Sequence, residues 1–194
     1  MRVIRVLAPN AGVRELEGTN TWIVGEAPAI VIDPGPNHAG HLHEVARTAG
    51  AVGAIAITHD HPDHAPGALP LAEVTGAAVY AARPVEGMER IRDGDLVSAG
   101  ATTLSVVAAP GHAPDHFCFL DEETRDLYCG DLARRGGTIV VPASKGGNLA
   151  EYLASLRRIR DLAPARLLPG HGPVIEDVAE LIDEYLKHRA EREE

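Results

Sequence analysis

Three histidines and two aspartates fall within six residues of the stretch Thr58-His59-Asp60-His61-Pro62-Asp63-His64. Imidazole nitrogen and carboxylate oxygen are the borderline and hard donors that hold zinc-like ions at roughly 2 Å. His59 and His61 stand two apart in an extended turn and can point the same way. Asp63 and His64 are adjacent, so their side chains diverge and a second ion can sit beside the first. A polar solvent loop has no need of this spacing, and the stretch reads as a metal site. Asp60 occupies an unconstrained position inside it and reads as solvated or as lying behind the ligands.

The elements that must position these side chains are legible as apolar runs. Strands are expected at 3–7, 21–24, 29–32, 54–57, 78–80, 102–108, 116–120, 127–129 and 166–168, with a hairpin between the seventh and eighth. Residues 83–95 are charged and read as a loop. Helical spacing appears at 38–49, about 66–74, and 149–162, where Asn148 is the N-cap with Glu151 three residues on. Leu149, Leu153, Leu156 and Ile159 form the stripe of that helix, and Val178, Leu181, Ile182, Tyr185 and Leu186 that of a last one. Asp33, His59, His112, Asp131 and His171 each stand just past the end of a strand-like run. In layered α/β folds, sites gather outside the carboxyl ends of strands. Five metal-type side chains are thus expected at one edge.

The stretch resembles the signature of the metallo-β-lactamase superfamily, and the partners which that resemblance requires are present. They are His112 in Pro-Gly-His-Ala-Pro-Asp-His, Asp131 in Cys-Gly-Asp and His171 in Leu-Pro-Gly-His-Gly. The resemblance spans nearly the whole chain and implies an α/β fold, the four-layer αβ/βα sandwich of two mixed β-sheets with outer helices. It implies that His59, His61 and His112 hold one metal, that Asp63, His64 and His171 hold another, and that Asp131 bridges them. The implied cofactor is two zinc ions, with iron or manganese as alternatives. A bridging hydroxide would be the nucleophile, and Asp63 would orient its proton besides being a ligand. Asp33 resembles the family's carboxylate behind a ligand imidazole, though Asp-Pro-Gly is also a turn former; Thr58 could act similarly. His116 reads as a strand-start histidine capping backbone. His38, His41 and His43, around a helix start, lack the carboxylate partner of a second metal site. Arg134, Arg135 and Lys145 follow Asp131 and either clamp an anionic substrate or are solvated loop charges.

Composition narrows the function. The 194 residues fit one domain, 1–194, and 45% are apolar, which excludes a disordered chain. Cys118 and Cys129 are too few for a disulfide scaffold and read as small core residues of a reducing compartment. The N-terminus is too charged for a signal peptide and no apolar run reaches membrane length, so a cytoplasmic protein is expected. The net charge of −10 opposes a nucleic-acid partner, although half of it lies in residues 176–194, with eight acidic and three basic side chains on an expected outer helix.

Within the superfamily, Glu17-Gly18-Thr19-Asn20-Thr21-Trp22, Gly136-Gly137-Thr138, Tyr152-Leu153-Ala154-Ser155-Leu156 and Tyr185-Leu186-Lys187-His188-Arg189 resemble the lactamase-beta-2-like group. That group includes single-strand-preferring endoribonucleases, often with a small helical C-terminal domain that would begin about where this chain ends. Zinc β-lactamases of the commonest class place a cysteine in the second metal's set, whereas here the bridging position is Asp131, as in glyoxalase II-like enzymes. Hydrolysis of a small ester, thioester or lactone is therefore expected. The alternatives are an endoribonuclease-like phosphodiesterase, a mononuclear iron persulfide dioxygenase and a metal-binding protein without activity. A small, anionic substrate is the expected partner.

Overall fold

Successive strand residues face opposite sides of a sheet, and this chain uses that alternation to sort its apolar side chains into three cores. The computed structural model describes residues 1–190; the expected helical segment beyond them, 191–194, lies outside the described residues. One sheet holds, in order, β1 (Val3–Leu7), β2 (Asn20–Val24), β3 (Ala29–Ile32), β4 (Val52–Ala56), β5 (Ala78–Ala81) and β6 (Glu89–Arg90). Its first three strands are antiparallel and the rest run parallel to β3. The second sheet comprises β7 (Leu96–Ala99), β8 (Thr102–Ala108), β9 (Phe117–Leu120), β10 (Asp126–Gly130) and β11 (Arg166–Pro169), in the order β11-β10-β9-β8-β7. Only β10 and β11 pair in parallel there. Both sheets are mixed, as expected.

Trp22, Ile30, Ile32, Leu104, Val106, Phe119 and Tyr128 fill the space between the sheets. The alternate residues Ile23, Val31, Ile55 and Val79 pack with Leu42 and Val45 of α1 (Ala39–Ala49) and Leu71 of α2 (Ala68–Thr75). On the other side Cys118, Leu120, Leu127 and Cys129 pack with Tyr152, Leu156 and Ile159 of α3 (Leu149–Leu162). Leu181, Ile182 and Tyr185 of α4 (Val178–Ala190) complete that outer core. The result is the expected helix–sheet–sheet–helix stack.

Three points of the sequence reading need correction. The charged segment 83–95 contains β6, a two-residue pairing of exposed charges at the sheet edge. β7 was not expected, because Leu96-Val97-Ser98-Ala99 is an edge strand whose Leu96 faces solvent. The stripe of α3 is also rotated. Tyr152, Ser155, Leu156 and Ile159 are its buried residues, while Leu149 and Leu153 sit at the margin. Asn148 does cap the helix, its side chain accepting from the Glu151 amide.

Cys118 and Cys129 are fully buried free thiols on paired strands, as core residues should be. Burial pushes the Cys118 thiol up and takes Cys129 to about 12. Only the thiolate reacts, so a disulfide reagent at about pH 8 should label neither cysteine in the native protein and both after unfolding. Labelling of the native chain would contradict this packing.

Candidate metal centre

Five strand ends meet at one edge of the sandwich. Asp33 follows β3, His59 follows β4, His112 follows β8, Asp131 follows β10 and His171 follows β11. Backbone bonds tie these ends together, two across the sheets and one within the second sheet. The Phe117 amide donates to the Thr58 carbonyl at 2.7 Å, Gly170 to Gly130 at 2.9 Å and Asn20 to Gly170 at 2.7 Å.

Two clusters of donor atoms result. Nδ1 of His61 lies 3.0 Å from Nε2 of His59 and 3.1 Å from Nε2 of His112. Nε2 of His171 and of His64 lie 3.2 and 3.4 Å from Oδ2 of Asp63. Asp131 stands between them: its Oδ2 is 3.5 Å from His112, and its Oδ1 is 3.4 Å from His171 and 3.7 Å from His64. In each trio, the candidate ligand atoms lie within 4.8 Å of one another.

Partners behind the rings determine which nitrogens face inward. Nδ1–H of His112 donates to the Val140 carbonyl at 2.6 Å, and that of His171 to Gly18 at 3.3 Å. Asp33 does the same for two rings at once. Its Oδ2 accepts from Nδ1–H of His64 at 2.8 Å and from the Thr58 hydroxyl at 2.7 Å. The Thr58 hydroxyl, having given its one proton to Asp33, can only accept from Nδ1–H of His59, 2.9 Å away. Both roles suggested for Asp33 are therefore realised. It sits in a left-handed turn at φ 48° and it is buried behind the ligand-type rings.

This arrangement leaves lone pairs facing lone pairs. Nε2 of both His59 and His112 faces Nδ1 of His61, which has at most one proton to offer. Nε2 of His64 and Oδ1 of Asp131 are buried without any hydrogen-bond partner, a condition native structures rarely leave uncompensated. Burial and then the neighbouring imidazoles push His59 well below the usual histidine range, and burial lowers His61 as well. Burial opposes charge on Asp63 and Asp131, yet the surrounding imidazoles, His171 and His64 for Asp63 and His64 foremost for Asp131, hold both below the usual carboxylate range. Burial likewise opposes charge on His64, but Asp33 and the other carboxylates raise it well above its ordinary value. His59 and His61 held neutral, two ionised carboxylates, and a His64 whose raised value marks a demand for positive charge are what a metal cation satisfies, so the residues present fit metal ions.

A cavity of about 490 Å³ opens over His61, Asp63, His112, Asp131 and His171. Arg134 and Lys145 line it, as does Arg14, which the sequence did not single out. Arg135 is a correction: its guanidinium pairs with Asp177 and lines a separate depression beside Tyr185 and Arg189. His116 caps backbone as expected, its Nε2 accepting from the Asp131 amide at 3.1 Å, and burial takes it to about 3, so the ring is neutral. Asp60 is exposed, with its amide bonded to Asp115. His38 caps α1, and His41 donates or accepts at Thr21, so neither takes part in a second cluster.

The polar run Thr19-Asn20-Thr21, part of a stretch singled out above for its family resemblance, has a structural role that the resemblance did not indicate. All three residues are fully buried. Asn20 donates to the carbonyls of Pro169 and Gly172, and Trp22 donates to Pro169, which clamps the His171 loop. Thr21 donates to the Asp33 carbonyl. Three consecutive polar residues entering an apolar strand were the available signal, because buried polar groups must find partners.

Replacing Asp33 with Asn removes the charge that orients His64 and, through Thr58, His59. Metal affinity should fall roughly 10–100-fold with the fold retained, measured by competition with a chromophoric chelator; unchanged affinity would contradict the Asp33 contacts. Gly170 approaches the site so closely that a Cβ there would lie 2.6 Å from Cε1 of His64 and 3.2 Å from Oδ1 of Asp131. Gly170→Ala should lower metal content in the folded protein, and full occupancy would show that the loop yields freely.

Residues 14–92 and 89–171 match the model of the metallo-beta-lactamase superfamily. The chain is 37% identical to the beta-lactamase-like protein 2 homolog of Caenorhabditis elegans, over 98% of this chain and 68% of the relative. It is 39% identical to the lactamase-like protein vrtG of Penicillium aethiopicum, over 98% and 63%. It is 35% identical to an atrochrysone carboxyl ACP thioesterase of Aspergillus fumigatus, over 99% and 62%. The chain thus spans about two thirds of the length of these curated relatives. Among solved structures, the metallo-beta-lactamase family protein TTHA1429 of Thermus thermophilus superposes with a TM-score of 0.87 at 22% identity, covering 98% of this chain and 80% of that one. TTHA1623, solved in a di-iron-bound form, gives 0.75 at 26% identity, over 91% and 96%. Sequence match, fold and the placement of the histidines agree: the chain belongs to the metallo-β-lactamase superfamily.

Proposed function

We propose that this chain is a dinuclear metal-dependent hydrolase of acyl substrates, with thioesters and esters as its principal class. The observation that carries the reading is the division of the Asp131 carboxylate. One oxygen faces His112, and the other faces His64 and His171. A carboxylate so placed suits two ions side by side. His59, His61 and His112 would hold the first; Asp63, His64 and His171 would hold the second; Asp131 would belong to both. An imidazole and carboxylate set without thiolate suits zinc, with iron or manganese as alternatives. When bound, such ions bring the pKa of water towards neutrality and polarise a carbonyl oxygen.

The chain's own residues supply the rest. Asp63 stays ionised between His64 and His171 and borders the cleft, where it can accept a hydrogen bond from the attacking water and set its direction. In the net reaction the water oxygen bonds to the carbonyl carbon and the carbon–sulfur or carbon–oxygen bond breaks. The leaving group departs with a proton from that water, giving an acid and a thiol or alcohol. Both cysteine thiols are buried in the outer core, away from the cleft, so neither is a nucleophile for this step. The thioesterase relative supports a thioester substrate. A phosphodiesterase acting on RNA is the second reading, implied by the resemblance of Glu17–Trp22 and the other quoted stretches to the lactamase-beta-2-like group. Against it, among the described residues no Phe, Tyr or Trp side chain lines the cleft, where base stacking would need one.

Metal-loaded protein should release thiol from acyl thioesters, and Asp131→Asn should reduce turnover at least about a hundredfold while circular dichroism stays unchanged. Thiol release that survives both a chelator and Asp131→Asn would overturn the proposal.

A further inference from the structure

The chain carries a net charge of −10, yet cations gather on the wall of its cleft. Arg14, Arg134 and Lys145 line the same cavity as the metal-type side chains. Among the described residues none of the three has a carboxylate within ion-pair distance, whereas the adjacent Arg135 is neutralised by Asp177. Glu15 also lines the cavity, but its carboxylate folds back against Gly12 in its own turn. The remaining acids of the lining, Asp63 and Asp131, face the imidazoles. Three positive side chains are thus left without a countercharge in a cleft of about 490 Å³, a volume that suits a small molecule.

These cations are held in place. The Arg134 amide donates to the Tyr185 hydroxyl at 3.3 Å, and that hydroxyl donates to the Arg134 carbonyl at 2.9 Å. Nη1 of Arg134 donates to the Arg14 carbonyl, which ties the two cationic segments together, and its Nε has no acceptor. Lys145 ends a short 3-10 turn, Ala143–Lys145, closed on itself so tightly that a Cβ at Gly147 would lie 2.8 Å from the Pro142 nitrogen. The same loop is anchored to the metal-type cluster by the His112 bond to Val140. The backbone that carries the cationic wall is therefore fixed relative to the metal-type cluster. Ile139, Val140 and Pro142 add apolar lining to the same cleft, with Val140 half exposed.

We propose that the cleft selects acyl substrates that carry an anionic group, a phosphate or a carboxylate, and that Arg134 and Lys145 are its specificity-determining residues, with Arg14 beside them. This rests on the hydrolase reading and names the substrate class of that site. An anion there meets charge-assisted donors in a partly desolvated cleft, where they act more strongly than in water. A neutral acyl compound gains nothing from them.

The test uses three thioesters on the metal-loaded full chain: acetyl-N-acetylcysteamine, which is neutral; succinyl-N-acetylcysteamine, with a carboxylate on the acyl side; and acetyl-4′-phosphopantetheine, with a phosphate on the thiol side. At least one charged probe should have a KM roughly tenfold below the neutral one. In the double variant Arg134→Gln, Lys145→Gln that ratio should collapse, and added salt should shrink it in the parent protein. Which charged probe is favoured identifies the anion and its side of the scissile bond. Binding of the matching non-hydrolysable thioethers, followed by calorimetry, separates this inference from the one beneath it. Charge-selective binding without hydrolysis would sink the hydrolase reading and leave the anion site standing. Hydrolysis or binding with equal preference for neutral and charged probes, or a preference unmoved by the double variant, would overturn the anion site.

Discussion

A buried carboxylate is costly unless its charge is met by nearby donors, and Asp33 is met three times. It accepts from the Thr58 amide and hydroxyl and from the His64 ring, while its own backbone is held by Ala56 and Thr21. The rest of the site depends on this one group. It fixes the turn after β3, the start of the metal loop after β4, and the inward direction of two ligand-type nitrogens. Its left-handed backbone is the local strain accepted in return. Removing the charge leaves the strands in place but frees the rings they deliver.

The sandwich exists to bring such loops together. Sheet alternation separates the inner core from the two helix-covered cores, so strand ends can be polar without disturbing the packing beneath. Hydrogen bonds between Thr58 and Phe117 and between Gly170 and Asn20 then join the two sheets at that edge, and one between Gly130 and Gly170 ties the loops after β10 and β11. The ionised Asp63 and Asp131 and the inward lone pairs of the neutral imidazoles repel one another, and a cation held among them would relieve that repulsion. This makes the metal ions part of the architecture of the edge as well as of its chemistry.

Much of this was legible in the chain. The metal-type residues declared themselves because each follows a strand, and β3, β8 and α3 have the bounds their patterns indicate. What escaped depends on long-range partners. Asn20 and Trp22 look like ordinary strand residues until the His171 loop is placed against them. Arg134 and Arg135 are adjacent and alike in sequence, yet backbone direction sends one to the cleft and the other to Asp177. Arg14 lies about a hundred and twenty residues from Arg134, and only the fold joins them. β7 is only four residues long and places Leu96 on its solvent face, so its burial alternation does not appear as apolar–polar alternation.

Asp131 is placed so that its one carboxylate would serve two metal ions. Elemental analysis of the chain purified without added metal tests it most directly. Two metal ions per chain, both present in a folded and active preparation, is the result expected. A single ion per chain that cannot be raised by reconstitution, in protein that still turns over its substrate, would contradict the account.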